Sequence, residues 1–112
     1  MLHIEERTRG DVMVLRLSGQ IVASASELEI RDTIRRVLVR GYRRVVVDLT
    51  GVTRADTPDD RLLLGALVDA RGVGAELRLV HAPQRMTSLR QQFSDFESES
   101  DALDSFEVHH PA

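Results

Sequence analysis

The sequence predicts a single α/β domain in which helices pack against a mixed, mostly parallel sheet of four to five strands. Segments with the apolar spacing of strands alternate along the 112 residues with segments of helical spacing, an order typical of α/β folds. The run from Val45 to Val47 is entirely apolar, as in strands covered on both faces. Helical segments separate the later strands, which favours parallel pairing. The hydrophobic content of 42% is sufficient for one core, so residues 1–108 are assigned to one domain and residues 109–112 to a short tail that we expect to be disordered.

The first two strands are predicted to form a hairpin. In residues 11–19, Met13, Leu15 and Leu17 lie on one face, with Val12, Val14 and Arg16 on the other, which indicates a strand that is mostly buried. A strand over residues 2–7 precedes it, and the tight turn at RTRGD joins the two.

The first helix is predicted from its ends and its apolar spacing. Ser26 is the expected N-cap, and Glu29 three residues later completes a capping box. Gly41 stands where a C-cap is expected. The apolar residues at helical spacing between these ends are Ile30, Ile34, Val37 and Leu38.

The second half of the chain is predicted to alternate strands with helices. A central strand over residues 45–49 is followed by the loop TGVTRADTP and by a helix that reaches Arg71 and closes at RGVGA. ELRLVHAP has the spacing of another strand, and Pro83 suits the first turn of a third helix through QRMTSLRQQF. A short strand over residues 96–98 and a last helix near residues 100–106 complete the order.

Composition argues against several classes of function. The net charge of −3 gives no positive excess for binding nucleic-acid phosphates. The sequence has no run of about 18 apolar residues that could span a bilayer, and its first segment, MLHIEERTRG, is charged. No membrane insertion and a cytoplasmic location are therefore expected. The absence of Cys removes disulfides and thiolate ligands.

Charged residues are distributed unevenly along the chain. Residues 31–44 contain six arginines, whereas residues 91–112 contain six acidic residues and no arginine. The ordinary interpretation is two solvated faces. The alternative is a pair of electrostatic docking surfaces.

The sequence contains no pattern typical of an enzyme or a metal site. The four histidines lack Cys partners and do not follow the spacing of a zinc site. A P-loop and a GxGxxG motif are also absent from the sequence. We therefore expect a protein that is not an enzyme and that has no catalytic residue, metal or cofactor.

The loop TGVTRADTP is the strongest candidate for a functional site. In open α/β sheets, ligands and partners bind at loops that follow the carboxyl ends of strands. Thr57 is followed by Pro58 at the expected first helical position, with Asp59 and Asp60 in the first turn, and all of these choices favour a helix start. As a cap, the Thr57 hydroxyl would contribute about 1 kcal/mol. A purely structural role for Thr57 is therefore a complete alternative to a functional one.

Four stretches of the chain resemble the STAS family, the domain of bacterial anti-sigma factor antagonists and of stressosome subunits. They are GDVMVLRLSGQI, RRVVVDLTGVTRADT, LLLGALVDARGVGAELRLV and SDALDSF, and the resemblance runs from about residue 11 to residue 106. In antagonists the loop usually reads Asp-Ser-Ser/Thr-Gly-Leu, and the hydroxyl after the Asp is phosphorylated by a serine kinase that is also the anti-sigma factor. The resemblance implies that Thr57 is a phosphorylation site and that Asp56 positions it.

After Thr57 the loop departs from the antagonist motif. Pro58 replaces the second hydroxyl, Asp59 replaces the Gly, and Asp60 and Arg61 replace the Leu-Gly that follows. A phosphate on Thr57 would meet three carboxylates within one helical turn, and like charges at such distances oppose it. The Asp-Thr pair of this loop resembles that of two other kinds of STAS protein. One is the stressosome scaffold, in which the Thr accepts phosphate. The other is the small accessory subunit of the bacterial lipid-transport ABC complex, in which the loop docks an ATPase.

The helix after the loop is apolar around more than half of its circumference. One stripe accounts for packing on the sheet, and Leu62, Leu64 and Val68 lie outside it. Either the helix is deeply buried within its own domain, or Leu64 and Val68 belong to an exposed patch that binds a partner. The stripe consists of Leu63, Ala66, Leu67 and Ala70. The predicted partner-binding residues are Thr53, Arg54, Pro58, Asp59, Asp60, Arg61, Leu64 and Val68.

These observations leave three hypotheses for function. The first is an antagonist or stressosome-type component that binds an anti-sigma serine/threonine kinase or other STAS proteins and is controlled at Thr57. The second is an accessory subunit that holds a transport ATPase through the same loop without being phosphorylated. The third is a scaffold that forms a homo-oligomer through Leu64 and Val68.

Overall fold

The computed structural model describes residues 2–21, 23–55 and 57–107, with all side chains in these ranges except those of residues 23, 24, 54, 55, 57–60 and 107. The predicted tail, residues 109–112, lies outside this part of the chain. The elements in chain order are β1 (Leu2–Arg9), β2 (Val12–Ile21), α1 (Ala23–Val39), β3 (Arg44–Ala55), α2 (Thr57–Gly72), β4 (Glu76–Val80), α3 (Thr87–Gln92), β5 (Asp95–Phe96) and α4 (Glu99–Glu107).

The five strands form one mixed sheet in the order β1-β2-β3-β4-β5. The hairpin strands β1 and β2 pair antiparallel. All other neighbouring strands pair parallel, because each connection after β2 contains a helix that returns the chain to the same edge of the sheet. The prediction of a single α/β domain with a mostly parallel sheet is confirmed.

Apolar side chains fill both faces of the sheet. On one face, α1, α2 and α3 cover a large cluster that includes Leu15 and Val47. On the other face, α4 covers a smaller cluster that joins Val14 and Val46 to Phe106. The alternation in β2 and β3 therefore supplies two cores, as predicted for strands covered on both sides. The apolar residues that α1 contributes to the large cluster are Ile30, Ile34 and Val37.

The first helix starts earlier than predicted and ends where predicted. It begins at Ala23, so the prediction of Ser26 as N-cap of a capping box is wrong. Ser26 lies one turn inside the helix and is buried, because the preceding Ala-rich residues favour helix and extend it towards β2. At the other end, Gly41 adopts a φ of 98°. Its N–H bonds to Leu38 O, and the N–H of Tyr42 bonds to Val37 O, which is a Schellman motif.

The central strand is longer than the sequence predicts. β3 continues through Thr50 to Ala55, so the prediction of a loop from residue 50 onward is wrong for these six residues. They stay in the sheet because β2 also continues, and it pairs with them as far as Ile21 through two register shifts. At Gly51 a Cβ would lie 2.8 Å from the Cβ of Ser18. Only glycine permits this close approach of the two strands.

The last elements occupy the predicted order with shifted bounds. Gln84 and Arg85 form a turn that Met86 N–H closes onto Pro83 O. The third helix is therefore confined to Thr87–Gln92 and does not begin near Pro83. β5 begins one residue before the predicted position, and α4 extends the predicted last helix at both ends.

Candidate phosphorylation and partner-binding site

The candidate site lies where β3 is joined to α2. β3 ends at Ala55, beside the end of its parallel neighbour β2 and beyond its pairing with β4, and α2 begins at Thr57. Pro58 is thus the second residue of the helix, not the first as predicted. It interrupts no bond there, since the first four N–H groups of a helix have no partner within it. Asp56 and the side chains of Arg54 and Thr57–Asp60 lie outside the described part of the structure, so the capping bond and the role of Asp56 stay predictions.

A buried carboxylate that was not predicted from the sequence supports the middle of β3. Asp48 is buried, and its Oδ1 accepts hydrogen bonds from the Thr50 backbone N–H at 2.9 Å and the Thr50 hydroxyl at 2.5 Å. Its Oδ2 lies 3.4 Å from Nε of Arg16 on β2. Buried carboxylates are costly unless paired. Asp48 therefore fixes the backbone and ties β2 to β3 where their register shifts.

Two of the predicted binding residues, one before and one after the start of α2, are accessible. Thr53 near the end of β3 and Arg61 in the second turn of α2 are both exposed. They flank the start of α2, at the edge of the sheet where the parallel strands end. These described side chains are available to a partner that approaches Thr57.

The helix α2 has the buried stripe that its spacing predicts. Leu63, Ala66, Leu67 and Ala70 are all buried. Leu62 and Leu64 are half-buried and pack against the large core cluster, because each lies about 100° around the helix from Leu63. Val68, farther round, is 36% exposed. Of the two residues of the Leu64/Val68 patch, Val68 is therefore exposed, whereas Leu64 belongs partly to the core.

An ion pair links α2 to α1 beside this surface. Arg31 donates to Asp69 Oδ2 at 2.6 Å and lies 3.4 Å from Glu27. The hydrogen bond to Asp69 is the main cause that raises the pKa of Arg31. Gly65 makes room for the guanidinium, since a Cβ there would lie 3.1 Å from Nη2 of Arg31. The sequence indicated Arg31 only as one of six arginines, because the pair joins residues that are 38 positions apart.

The described side chains around this site supply the Thr53 hydroxyl, the Arg61 guanidinium and the partly exposed apolar side chain of Val68. Among the described residues, no group of three or more His, Cys, Asp or Glu side chains is placed to hold a metal ion. No helix within the same residues is both long and apolar enough to cross a bilayer.

A protein-family model described as "Mlab, STAS domain" matches residues 4–94 of the chain. The chain belongs to the STAS domain family. The family resemblance seen in the four stretches of sequence is therefore confirmed. No curated protein matches the chain by sequence.

Solved STAS structures share the whole fold at low sequence identity. The Bacillus cell fate determinant SpoIIAA in its phosphorylated form is 20% identical, with a TM-score of 0.67 over 95% of this chain and 99% of that chain. An anti-sigma factor antagonist from Mycobacterium paratuberculosis is 17% identical, with a TM-score of 0.75 over 94% and 93%. RsbS from Moorella thermoacetica is 12% identical, with a TM-score of 0.76 over 94% and 95%. At these identities the similarity shows the SpoIIAA-like fold alone.

Proposed function

We propose that this STAS domain is a regulatory protein-binding module of the cytoplasm, in which phosphorylation of Thr57 controls the binding of a partner. The observation that carries the proposal is the position of Thr57 as first residue of α2, directly beyond the central strand of a STAS fold. The partner is an anti-sigma serine/threonine kinase or another STAS protein, as for an antagonist or a stressosome component. The domain itself acts by binding and is not an enzyme.

The docking surface of the unmodified domain surrounds Thr57. It comprises Thr53, Arg54, the first turn of α2 with Arg61, and the outer side of α2 at Leu64 and Val68. The exposure of Thr53, Arg61 and Val68 supports this assignment. Because Leu64 also packs against the core, only the exposed edge of its side chain contacts the partner.

The switch is electrostatic. The Thr57 oxygen attacks the γ-phosphorus of a nucleoside triphosphate held by the kinase, the diphosphate leaves, and the hydroxyl proton passes to a base of the kinase. The phosphate adds a charge of about −1.5 to −2, which brings repulsion and a desolvation cost to the docked interface. The Asp56, Asp59 and Asp60 carboxylates of the sequence oppose the phosphate within the domain itself. The charge added at the docked interface favours release of the partner without a change of fold.

The proposal is tested with Thr57→Glu and with Thr87→Glu as the matched control. Thr87 is also the first residue of a helix and is exposed, but it lies on α3. We expect Thr57→Glu to abolish capture of the native partner from lysate while its Tm stays close to that of the unchanged chain. The Thr87 variant should retain the partner.

Three results would contradict the proposed function. A large fall in Tm for Thr57→Glu would assign the residue to helix capping alone. Equal loss of the partner in the Thr87 variant would show that a negative charge added elsewhere on the surface also prevents binding. Capture of a transport ATPase by a chain that carries no phosphate on Thr57 in cells, measured by mass spectrometry, would favour the accessory-subunit hypothesis.

A further inference from the structure

The outer side of α1 carries four exposed residues in one line. Leu28 is 68% exposed and Val39 is 80% exposed, and exposed Asp32 and Arg35 lie between them. Their spacing of four, three and four residues places them within about 60° of one another around the helix. They lie on the side opposite the buried residues of α1. We call these four residues the outer stripe of α1.

The charged residues of the outer stripe have no ion-pair partner in the part of the chain that the structure describes. Neither Asp32 nor Arg35 forms an ion pair with any residue that the structure describes, whereas Glu27, Arg31 and Arg36 of α1 do, as does Arg40 just beyond the helix. Arg31 pairs with Asp69, and Arg36 and Arg40 both pair with Glu6. Single exposed apolar residues are common on proteins. A line with an exposed apolar residue at each end, and with an acid and a base between them that pair with no described residue, is a more specific pattern.

The stripe is complementary to itself when its direction is reversed. Its order is apolar, acidic, basic, apolar, so a second copy that runs antiparallel brings Leu28 against Val39 and Asp32 against Arg35, each contact occurring twice. The spacing is that of the a and d positions of a coiled coil, at which antiparallel helices pack in a–d layers. A self-complementary surface of this type fits a twofold interface between two copies of the chain.

A second pair of charges beside the stripe obeys the same symmetry. Glu29 and Arg36 are exposed on one flank, seven residues apart. In the antiparallel arrangement Glu29 faces Arg36 of the second copy. Arg36 lies 3.7 Å from Glu6 in its own chain, a distance that leaves its guanidinium available to a second carboxylate.

We infer that the outer stripe of α1 is a homodimer interface, with a second copy of this chain packed antiparallel through Leu28, Asp32, Arg35 and Val39. The inference is independent of the proposed function, because α1 is a different surface from the Thr57 site and from the Leu64/Val68 patch. An interface built on one 17-residue helix is small, so the dimer is expected to be transient and to depend on concentration.

Charge exchange tests the inference without disturbing the fold. Sedimentation velocity over a range of concentrations should show a monomer–dimer equilibrium for the unchanged chain. Asp32→Arg and Arg35→Asp should each weaken dimerisation by at least ~10-fold, because each places like charges opposite one another. The double variant Asp32→Arg/Arg35→Asp restores complementary pairs and should recover most of the lost affinity. Circular dichroism on all three variants verifies folding.

Cysteine cross-linking tests the antiparallel direction. The native chain has no Cys, so Leu28→Cys and Val39→Cys introduce the only thiols. On one helix these positions are about 16 Å apart, too far for a disulfide, whose Cα atoms lie within ~7 Å. We expect a mixture of the two single variants to form mixed disulfide dimers under oxidation, and each variant alone to form far fewer.

Each alternative result overturns the inference. A chain that stays monomeric up to ~1 mM, where even a weak interface is populated, has no such dimer. A dimer that the two single charge variants leave intact, or that Val68→Glu breaks instead, uses another face. Self-linking of Leu28→Cys as efficient as mixed linking would indicate a parallel pair and exclude the proposed contacts.

Discussion

The two long helices lie side by side on the same face of the sheet, but they divide their surfaces differently. α1 buries one face, and its outer stripe lies on the opposite side. α2 has no such separation, because Leu62 and Leu64 are half-buried at both margins of its core stripe. Substitutions on the outer side of α1 therefore test association without affecting folding, whereas substitutions at the margins of α2 affect both. Two experiments on stability examine this difference, and a third examines the contact between β2 and β3.

The largest effect is expected from the core stripe of α2. Leu67 is completely buried, so Leu67→Ala should lower the free energy of unfolding by about 2–5 kcal/mol through lost burial and a cavity. Val68→Ala, one residue further on at an exposed position, should cost less than ~0.5 kcal/mol. Urea unfolding of both variants measures the difference. Similar costs at the two positions would show that Val68 also belongs to the core and is not free for a partner.

A smaller effect is expected where β3 approaches the candidate site. Gly51→Ala places a Cβ within 2.8 Å of Ser18 Cβ, and forcing β2 and β3 apart should cost about 1–3 kcal/mol. The control is Gly72→Ala at the end of α2, where an added Cβ meets nothing within 4 Å. Thermal unfolding should show a lower Tm only for Gly51→Ala. A neutral Gly51→Ala would mean that the two strands tolerate a wider separation beside the site.

The smallest effect is expected from the ion pair that joins the two helices. The side chain of Asp69 is 68% exposed, so Asp69→Ala should cost no more than ~1 kcal/mol, and less at high salt. Asp32→Ala removes a carboxylate that is paired with no described residue, and should leave the stability of the monomer unchanged. Urea unfolding of both variants at low and high ionic strength measures the difference between their effects on stability. A salt-independent loss at Asp69 would indicate a packing role instead of a charge interaction.

The sequence predicts well what depends on local spacing. The four buried residues of the α2 stripe and the C-cap at Gly41 are read from positions only a few residues apart, and the structure confirms them. The alternation in β2 predicts burial on both faces, which is also confirmed. These patterns determine the elements and their order, and hence the α/β class.

The sequence predicts poorly what depends on contacts between distant segments. β3 extends past residue 49 because β2 is there to pair with it, and no residue within TGVTRA carries that information. The same holds for Asp48, whose burial depends on Arg16 of the neighbouring strand. At Ser26 the sequence contains a local capping signal, but the helix does not begin there because it extends to Ala23. At the candidate site, sequence located the start of α2 to within one residue, whereas the phosphorylation of Thr57 awaits experiment.

The two borders of the sheet also limit how a partner can bind. β1, at one border, carries Glu5, Glu6, Arg7 and Arg9 among mostly exposed residues, and Glu99 of α4 pairs with both arginines. β5, at the other border, is only two residues long. Charged or very short border strands discourage pairing with a strand from another molecule. Recognition by strand addition is therefore disfavoured at both borders of the sheet.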